Sequence, residues 1–129
     1  MQTQPRVLIV EDHAIVALAL EKILREIGCE CIGPIACGDQ AIDCAEQHRP
    51  DLVLMDVELK GPVDGIEAAA EIKRRFGISC IFLSGYSDPE TRARAEKAAD
   101  PMAFIEKATP LTQLAELLRD KLNIRSPEG

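Results

Sequence analysis

Five short apolar, β-branched runs begin near residues 6, 29, 51, 78 and 102, so that a new one starts every 22 to 27 residues or so. Between them the apolar residues take the spacing of amphipathic helices. Strands alternating with helices at this period predict a parallel sheet covered by helices on both faces. Right-handed crossovers then remove most competing topologies. At 129 residues the chain reads as one domain, with a core of about residues 5–122 and a polar tail over 123–129.

Arg6-Val7-Leu8-Ile9-Val10 is the first expected strand and ends at Glu11-Asp12. A helix is expected over residues 13–27, with Val16, Leu20, Ile23, Leu24 and Ile27 on one stripe, Asp12 as its cap and Gly28 as its stop. A weak second strand, Cys29 to Ile32, should end at Gly33-Pro34, and a second helix should run from Asp39 to His48. Leu52 to Met55 is continuously apolar, as in a strand buried on both faces, and leads into Asp56. After a loop at 60–65, residues 66–76 form the third helix, with Glu71 and Arg75 as an i,i+4 pair. Ile78 to Leu83 is the next strand and ends at Ser84. Asp88 and Pro89 open a fourth helix that offers the core only Ala93, Ala95, Ala98 and Ala99, a weak anchor because alanine buries little area. Met102 to Glu106 is the fifth strand and Lys107 follows it. Thr109 should cap the last helix and Pro110 open it, with Leu111, Leu114, Leu118 and Leu122 as its buried stripe. Five such units give a flavodoxin-like (βα)5 three-layer sandwich with a parallel five-stranded sheet of order 2-1-3-4-5.

The net charge of −7 argues against direct nucleic-acid binding, which needs a basic face. No apolar run approaches the roughly 18–20 residues needed to span a membrane. The N-terminus lacks a secretion signal, so a cytoplasmic location is expected. Cys29, Cys31, Cys37, Cys44 and Cys80 are odd in number and irregular in spacing, and read as small core hydrophobes rather than a disulfide framework. His13 and His48 are not spaced as a metal pair.

Four strands end in something other than a turn former: Glu11-Asp12, Asp56, Ser84 and Lys107. In a parallel sheet these ends share one edge, and in the order 2-1-3-4-5 the first and third strands are neighbours. Three carboxylates therefore converge. They raise one another's pKa unless a cation joins them, and Mg2+ suits an all-oxygen site that also keeps room for a phosphate oxygen. Asp56 is then expected to act as a nucleophile toward phosphorus, with Lys107 neutralising a phosphoryl oxygen and the Ser84 hydroxyl donating to another. Taken singly, each residue has an ordinary reading as cap, turn former or surface charge. The joint occurrence at four strand ends does not.

At these residues the sequence resembles the receiver domain of two-component response regulators. The matching pieces are Val7-Leu8-Ile9-Val10-Glu11-Asp12, Asp51-Leu52-Val53-Leu54-Met55-Asp56, Asp64-Gly65-Ile66-Glu67, Phe82-Leu83-Ser84-Gly85 and Phe104-Ile105-Glu106-Lys107. The resemblance implies that Asp56 receives a phosphoryl group from a sensor histidine kinase or a histidine phosphotransfer protein. It implies direct Mg2+ ligation by Asp12 and Asp56, with Glu11 acting through water and the backbone carbonyl of Glu58 completing the protein ligands. Ser84 takes the Thr/Ser switch position and Phe104 the aromatic switch position, so that phosphorylation would change the face made by the fourth helix, fifth strand and fifth helix. A monomer or a phosphorylation-dependent homodimer would follow. Such a domain is a phosphoacceptor and not a conventional turnover enzyme.

Three departures from the family pattern stand out. Lys107-Ala108 replaces Lys-Pro, which removes the reason for a cis bond there. The loop after Asp56 is one residue longer than usual, with its proline at Pro62. Phe82-Leu83-Ser84-Gly85-Tyr86 resembles the "FAT GUY" class of receivers with substitutions, which makes Tyr86 an auxiliary switch candidate. Glu58 is expected to influence phosphoryl lifetime through its charge. A stand-alone receiver is the expectation, and an N-terminal receiver of a longer regulator with a DNA-binding or enzymatic output domain is the alternative. A haloacid-dehalogenase-type phosphatase would want Asp where Glu58 stands, and a flavodoxin would want a Ser/Thr/Gly-rich phosphate loop where Glu11-Asp12 stands. A receiver that binds partners without phosphorylation would not need the full set of Glu11, Asp12, Asp56, Ser84 and Lys107.

Overall fold

The computed structural model describes residues 4–85 and 88–124. Five strands and five helices alternate along them: β1 (Arg6–Val10), α1 (Ala14–Glu26), β2 (Glu30–Ile35), α2 (Gly38–His48), β3 (Leu52–Asp56), α3 (Gly65–Phe76), β4 (Cys80–Ser84), α4 (Pro89–Ala99), β5 (Ala103–Glu106) and α5 (Leu111–Lys121). The strands pair in parallel in the order β2-β1-β3-β4-β5, as expected from the repeat. Their period-two alternation builds two cores. Leu8, Val10, Val53, Met55 and Phe82 face α2, α3 and α4, where they meet Ile66, Ile72, Ala95 and Ala99. Val7, Ile9, Leu52, Leu54 and Ile81 face α1 and α5, where they meet Leu20, Leu24, Leu114 and Leu118. Burying a Leu or Phe this fully is worth about 1.5–3 kcal/mol, so the central strands hold the frame on which the loops at the carboxyl edge rest.

Several local expectations change. β2 does not stop at Gly33-Pro34 but continues to Ile35, with a register shift against β1 between Leu8 and Val10 and a cis Gly33–Pro34 bond. As the edge strand, β2 tolerates a proline and an irregularity that a central strand would not. In keeping with the missing proline, the Lys107–Ala108 bond is not cis; among the described residues Gly33–Pro34 is the cis bond. Asp12 does not cap α1. His13 holds the N-cap position without a side-chain bond, because the Asp12 carboxylate faces the other acids. Thr109 does not cap α5 either. Its N–H donates to the Glu106 carbonyl in the turn after β5, and Pro110 takes the N-cap position. Leu111 is exposed at the first turn of α5 and Leu122 only partly covered, so the buried stripe reduces to Leu114 and Leu118. On α4 only Ala95 and Ala99 are buried, while Ala93 and Ala98 face solvent.

Other local expectations hold. Asp88 accepts the Thr91 N–H at 2.6 Å and opens α4 with Pro89. The cysteines are all free thiols, but only Cys29 and Cys80 are buried as core hydrophobes, while Cys31, Cys37 and Cys44 are partly exposed. No helix among the described residues is long and apolar enough to cross a membrane.

α3 is the most explicitly terminated helix. Asp64 accepts the Glu67 N–H at 2.8 Å while Glu67 accepts the Asp64 N–H, a reciprocal capping box. Gly65 follows immediately, and a Cβ there would run into the backbone carbonyl of Asp56. The absent side chain lets the start of α3 sit directly against the end of β3.

Candidate functional site

The carboxyl edge of the sheet gathers the residues expected there. Glu11 and Asp12 follow β1, Asp56 ends β3, Ser84 ends β4 and Lys107 follows β5. Carboxylate oxygens of Glu11, Asp12 and Asp56, together with a ring nitrogen of His13, all lie within 4.8 Å of one another. Glu11 is 3% exposed, Asp56 1% and Ser84 0%, so these are buried polar groups on strand ends.

Lys107 reaches into the cluster. Its Nζ lies 2.8 Å from Glu11 Oε1 and 3.2 Å from Asp56 Oδ1. The Glu58 N–H also donates to Asp56 Oδ1, at 2.9 Å. The two oxygens of Asp56 are therefore inequivalent. Oδ1 is held by an amide and an ammonium, whereas Oδ2 is buried with no hydrogen-bond partner among the described residues. Glu11 Oε1 and Asp12 Oδ1 likewise lack an aligned hydrogen bond, although each has a charged or ionisable neighbour, Lys107 and His13 respectively.

Burial, and then the Glu11 carboxylate, push the Asp56 pKa up to about 6 against the opposing influence of the Glu58 amide and Lys107. Burial works against the charge on Lys107, but its contacts with Glu11 and Asp56 outweigh that and hold its pKa above the ordinary lysine value. One ammonium thus faces two buried carboxylates, with a third carboxylate beside them. The donors that remain are hard oxygens, the set that a small divalent cation takes.

Two side chains here were not anticipated in these roles. The His13 N–H donates to Glu11 Oε2 at 3.0 Å, and its Nδ1 lies 3.3 Å from that oxygen and 3.2 Å from Asp12 Oδ1. Its position immediately after two strand-end acids was the available signal. The Glu58 carboxylate accepts the Ser84 hydroxyl at 3.0 Å and the Gly85 N–H at 2.8 Å. The clue was the turn, since the Glu58 amide bonded to Asp56 Oδ1 folds residue 58 back over the strand ends.

Phe104, on β5, is partly buried. Its ring centroid lies 6.0 Å from that of Phe82, and the Arg92 guanidinium stands 5.3 Å from its centre. Tyr86 lies outside the described residues.

Comparison with known proteins places these features in a family. The response regulator receiver domain profile matches residues 7–119. The transcriptional regulatory protein PdtaR of Mycobacterium tuberculosis is 38% identical over 109 residues, 84% of this chain and 52% of PdtaR. The transcriptional regulatory protein DesR of Bacillus subtilis is 32% identical over 126 residues, 95% of this chain and 62% of DesR. The chain thus spans about half the length of the first of these relatives and under two thirds of the second. Among solved structures, the signal receiver domain of a modulated diguanylate cyclase from Desulfovibrio desulfuricans superposes with a TM-score of 0.84 at 31% identity, covering 94% of this chain and 95% of that one.

Proposed function

The chain belongs to the response regulator receiver domain family of two-component systems, and from that premise we propose that it is a phosphorylation-controlled switch whose acceptor is Asp56. The observation that carries this reading is the asymmetry of Asp56. One oxygen is fixed by Glu58 N–H and Lys107, and the other is buried and unpartnered at the carboxyl end of the central strand. A receiver implies a histidine kinase or histidine phosphotransfer protein as phosphoryl donor.

In the proposed step Asp56 Oδ2 forms a bond to phosphorus while the bond from phosphorus to the donor histidine nitrogen breaks. The leaving imidazole keeps the electron pair and takes a proton from solvent. Lys107 stays beside Oδ1 and neutralises charge on the transferred group. The Ser84 hydroxyl turns to a phosphoryl oxygen, and Phe104 follows it inward, which alters the face made by α4, β5 and α5. Asp12 and Asp56 would hold Mg2+ directly, Glu11 through water, and Glu58 through its backbone carbonyl. The bound ion supplies the positive charge that lets an anionic carboxylate and an anionic donor approach. The orphaned buried oxygen of Asp12 suits that ion.

The protein is a phosphoacceptor that catalyses its own modification and slow hydrolysis, not a turnover enzyme, and it acts as a monomer or as a phosphorylation-dependent homodimer. A second reading is favoured by the names and greater length of the transcriptional relatives: the same receiver would govern an attached output domain. The test is incubation with acetyl phosphate, with and without Mg2+, in wild type and Asp56→Ala, read by intact mass. An added phosphoryl mass that needs both Mg2+ and Asp56 is expected. An adduct retained in Asp56→Ala would overturn the assignment.

A further inference from the structure

The side chain of Glu58 has no part in the scheme above, which uses only its backbone. Yet among the described residues its carboxylate takes two donors, the Ser84 hydroxyl at 3.0 Å and the Gly85 N–H at 2.8 Å. Ser84 is fully buried, so its hydroxyl direction matters, while Glu58 itself is exposed. The cluster is contiguous. A Cβ built on Gly85 would lie 3.3 Å from Glu58 Oε1 and 3.9 Å from Lys107 Cδ, and Lys107 Nζ is 3.2 Å from Asp56 Oδ1. Ser84 and Gly85 at the end of β4 are thus tied to the turn after β3 by an anion that belongs to the protein.

We propose that Glu58 is a positioning residue, an internal latch whose carboxylate occupies the Ser84 and Gly85 donors in the resting protein and must be expelled before they can bind a phosphoryl oxygen. The inference rests on Asp56 as acceptor and Ser84 as phosphoryl ligand. A phosphoryl oxygen and a carboxylate oxygen are both anionic acceptors, and a single O–H proton serves one at a time. Because Glu58 is exposed, its carboxylate can swing into water without leaving a buried charge behind. The exchange therefore swaps one charged acceptor for another instead of breaking bonds outright. The latch raises the threshold for switching and holds the Ser84 hydroxyl and the Gly85 amide in place meanwhile.

This differs from simple repulsion between Glu58 and an anionic donor. Repulsion acts whether or not Ser84 has a hydroxyl; a latch does not. The experiment is a double-mutant cycle on the whole chain, comparing wild type, Glu58→Ala, Ser84→Ala and the double variant. Glu58→Ala keeps the backbone carbonyl. Each protein is phosphorylated by acetyl phosphate with Mg2+ and followed by intact mass. Amide hydrogen exchange at Gly85 is measured beside it in the metal-free proteins.

The latch requires Glu58→Ala to gain about three- to tenfold in phosphorylation rate, the scale of one charge-assisted hydrogen bond partly recovered. It also requires that gain to shrink at least twofold in the Ser84→Ala background, and Gly85 exchange to speed up when Glu58 is replaced. An equal gain in both backgrounds, no gain, or unchanged Gly85 exchange would each overturn it. If no variant, wild type included, acquires phosphoryl mass, the Asp56 reading fails first and the latch has nothing to gate. Adducts that form without coupling defeat the latch alone.

Discussion

Lys107 Nζ stands 3.2 Å from Asp56 Oδ1 while remaining 2.8 Å from Glu11 Oε1, so one ammonium is shared by two buried carboxylates, one ending β3 and the other just past β1. Replacing it with methionine keeps the stem and removes the charge. The metal-free variant is expected to lose about 2–4 kcal/mol, since breaking a buried ion pair strands the remaining charges. Saturating Mg2+ should narrow that gap by supplying a substitute cation. Urea denaturation in EDTA and again in Mg2+ measures both, and equal stabilities in EDTA would count against a shared counter-ion.

Asp56 makes the metal-free protein pH-dependent in a defined direction. Its folded pKa of about 6 lies above the ordinary 3.8, so folding favours the protonated form. That stabilisation is fully present below pH 3.8 and is lost as pH rises through 6. A shift of roughly two units corresponds to at most about 3 kcal/mol. Asp56→Asn should remove most of this slope and be more stable than wild type near neutral pH by about 1–3 kcal/mol in EDTA. Denaturation curves across that range check it; an Asn variant that is less stable at neutral pH would contradict the argument.

Mg2+ should stabilise the wild-type fold by mass action. At ten times its dissociation constant the expected gain is about 1.4 kcal/mol, read as a rise in Tm that grows with Mg2+ concentration. Asp12→Asn should weaken the dependence several-fold, because it removes charge at an orphaned oxygen. An undiminished Mg2+ response in that variant would remove Asp12 from the ligand set.

Asp64 joins two helices. It caps α3 through Glu67 N–H at 2.8 Å and accepts Arg94 Nη2 of α4 at 2.9 Å. Asp64→Ala loses both and should cost about 1–2 kcal/mol, most of it from the cap. Asp64→Asn retains a capping oxygen and should cost less than half as much. Chemical denaturation distinguishes them, and equal losses would place the energy in the ion pair.

The strand-end residues are legible in the sequence because parallel β-α units put every strand terminus on one edge, which groups Glu11, Asp12, Asp56, Ser84 and Lys107. The sheet order followed from the same repeat. Helix ends were less readable, because a carboxylate such as Asp12 has two competing uses. It can cap a helix or join an acidic cluster, and only the three-dimensional site decides. Leu111 fits a helical stripe by spacing, but the buried part of that stripe begins a turn later, at Leu114. Glu58 was singled out for its backbone and its charge, but its side-chain bonds to Ser84 and Gly85 were not legible, because those partners are 26 and 27 residues away and local periodicity carries no information on such a pair. Pro34 suggested a strand end where an edge strand instead absorbs it.

α4 packs on α3, and Ala95 and Ala99 are the residues of α4 buried in that core. Branched side chains interlock as ridges in grooves, and sliding one helix past another then means lifting each ridge over its neighbour. Methyl groups give a surface of low relief. The polar ties between the two helices, Arg94 to Asp64 and Lys73 to Asp100, are partly exposed to solvent and can re-form after a displacement. A shift of α4 on phosphorylation, as proposed, would meet a track of low relief there, because its buried face is made of Ala95 and Ala99.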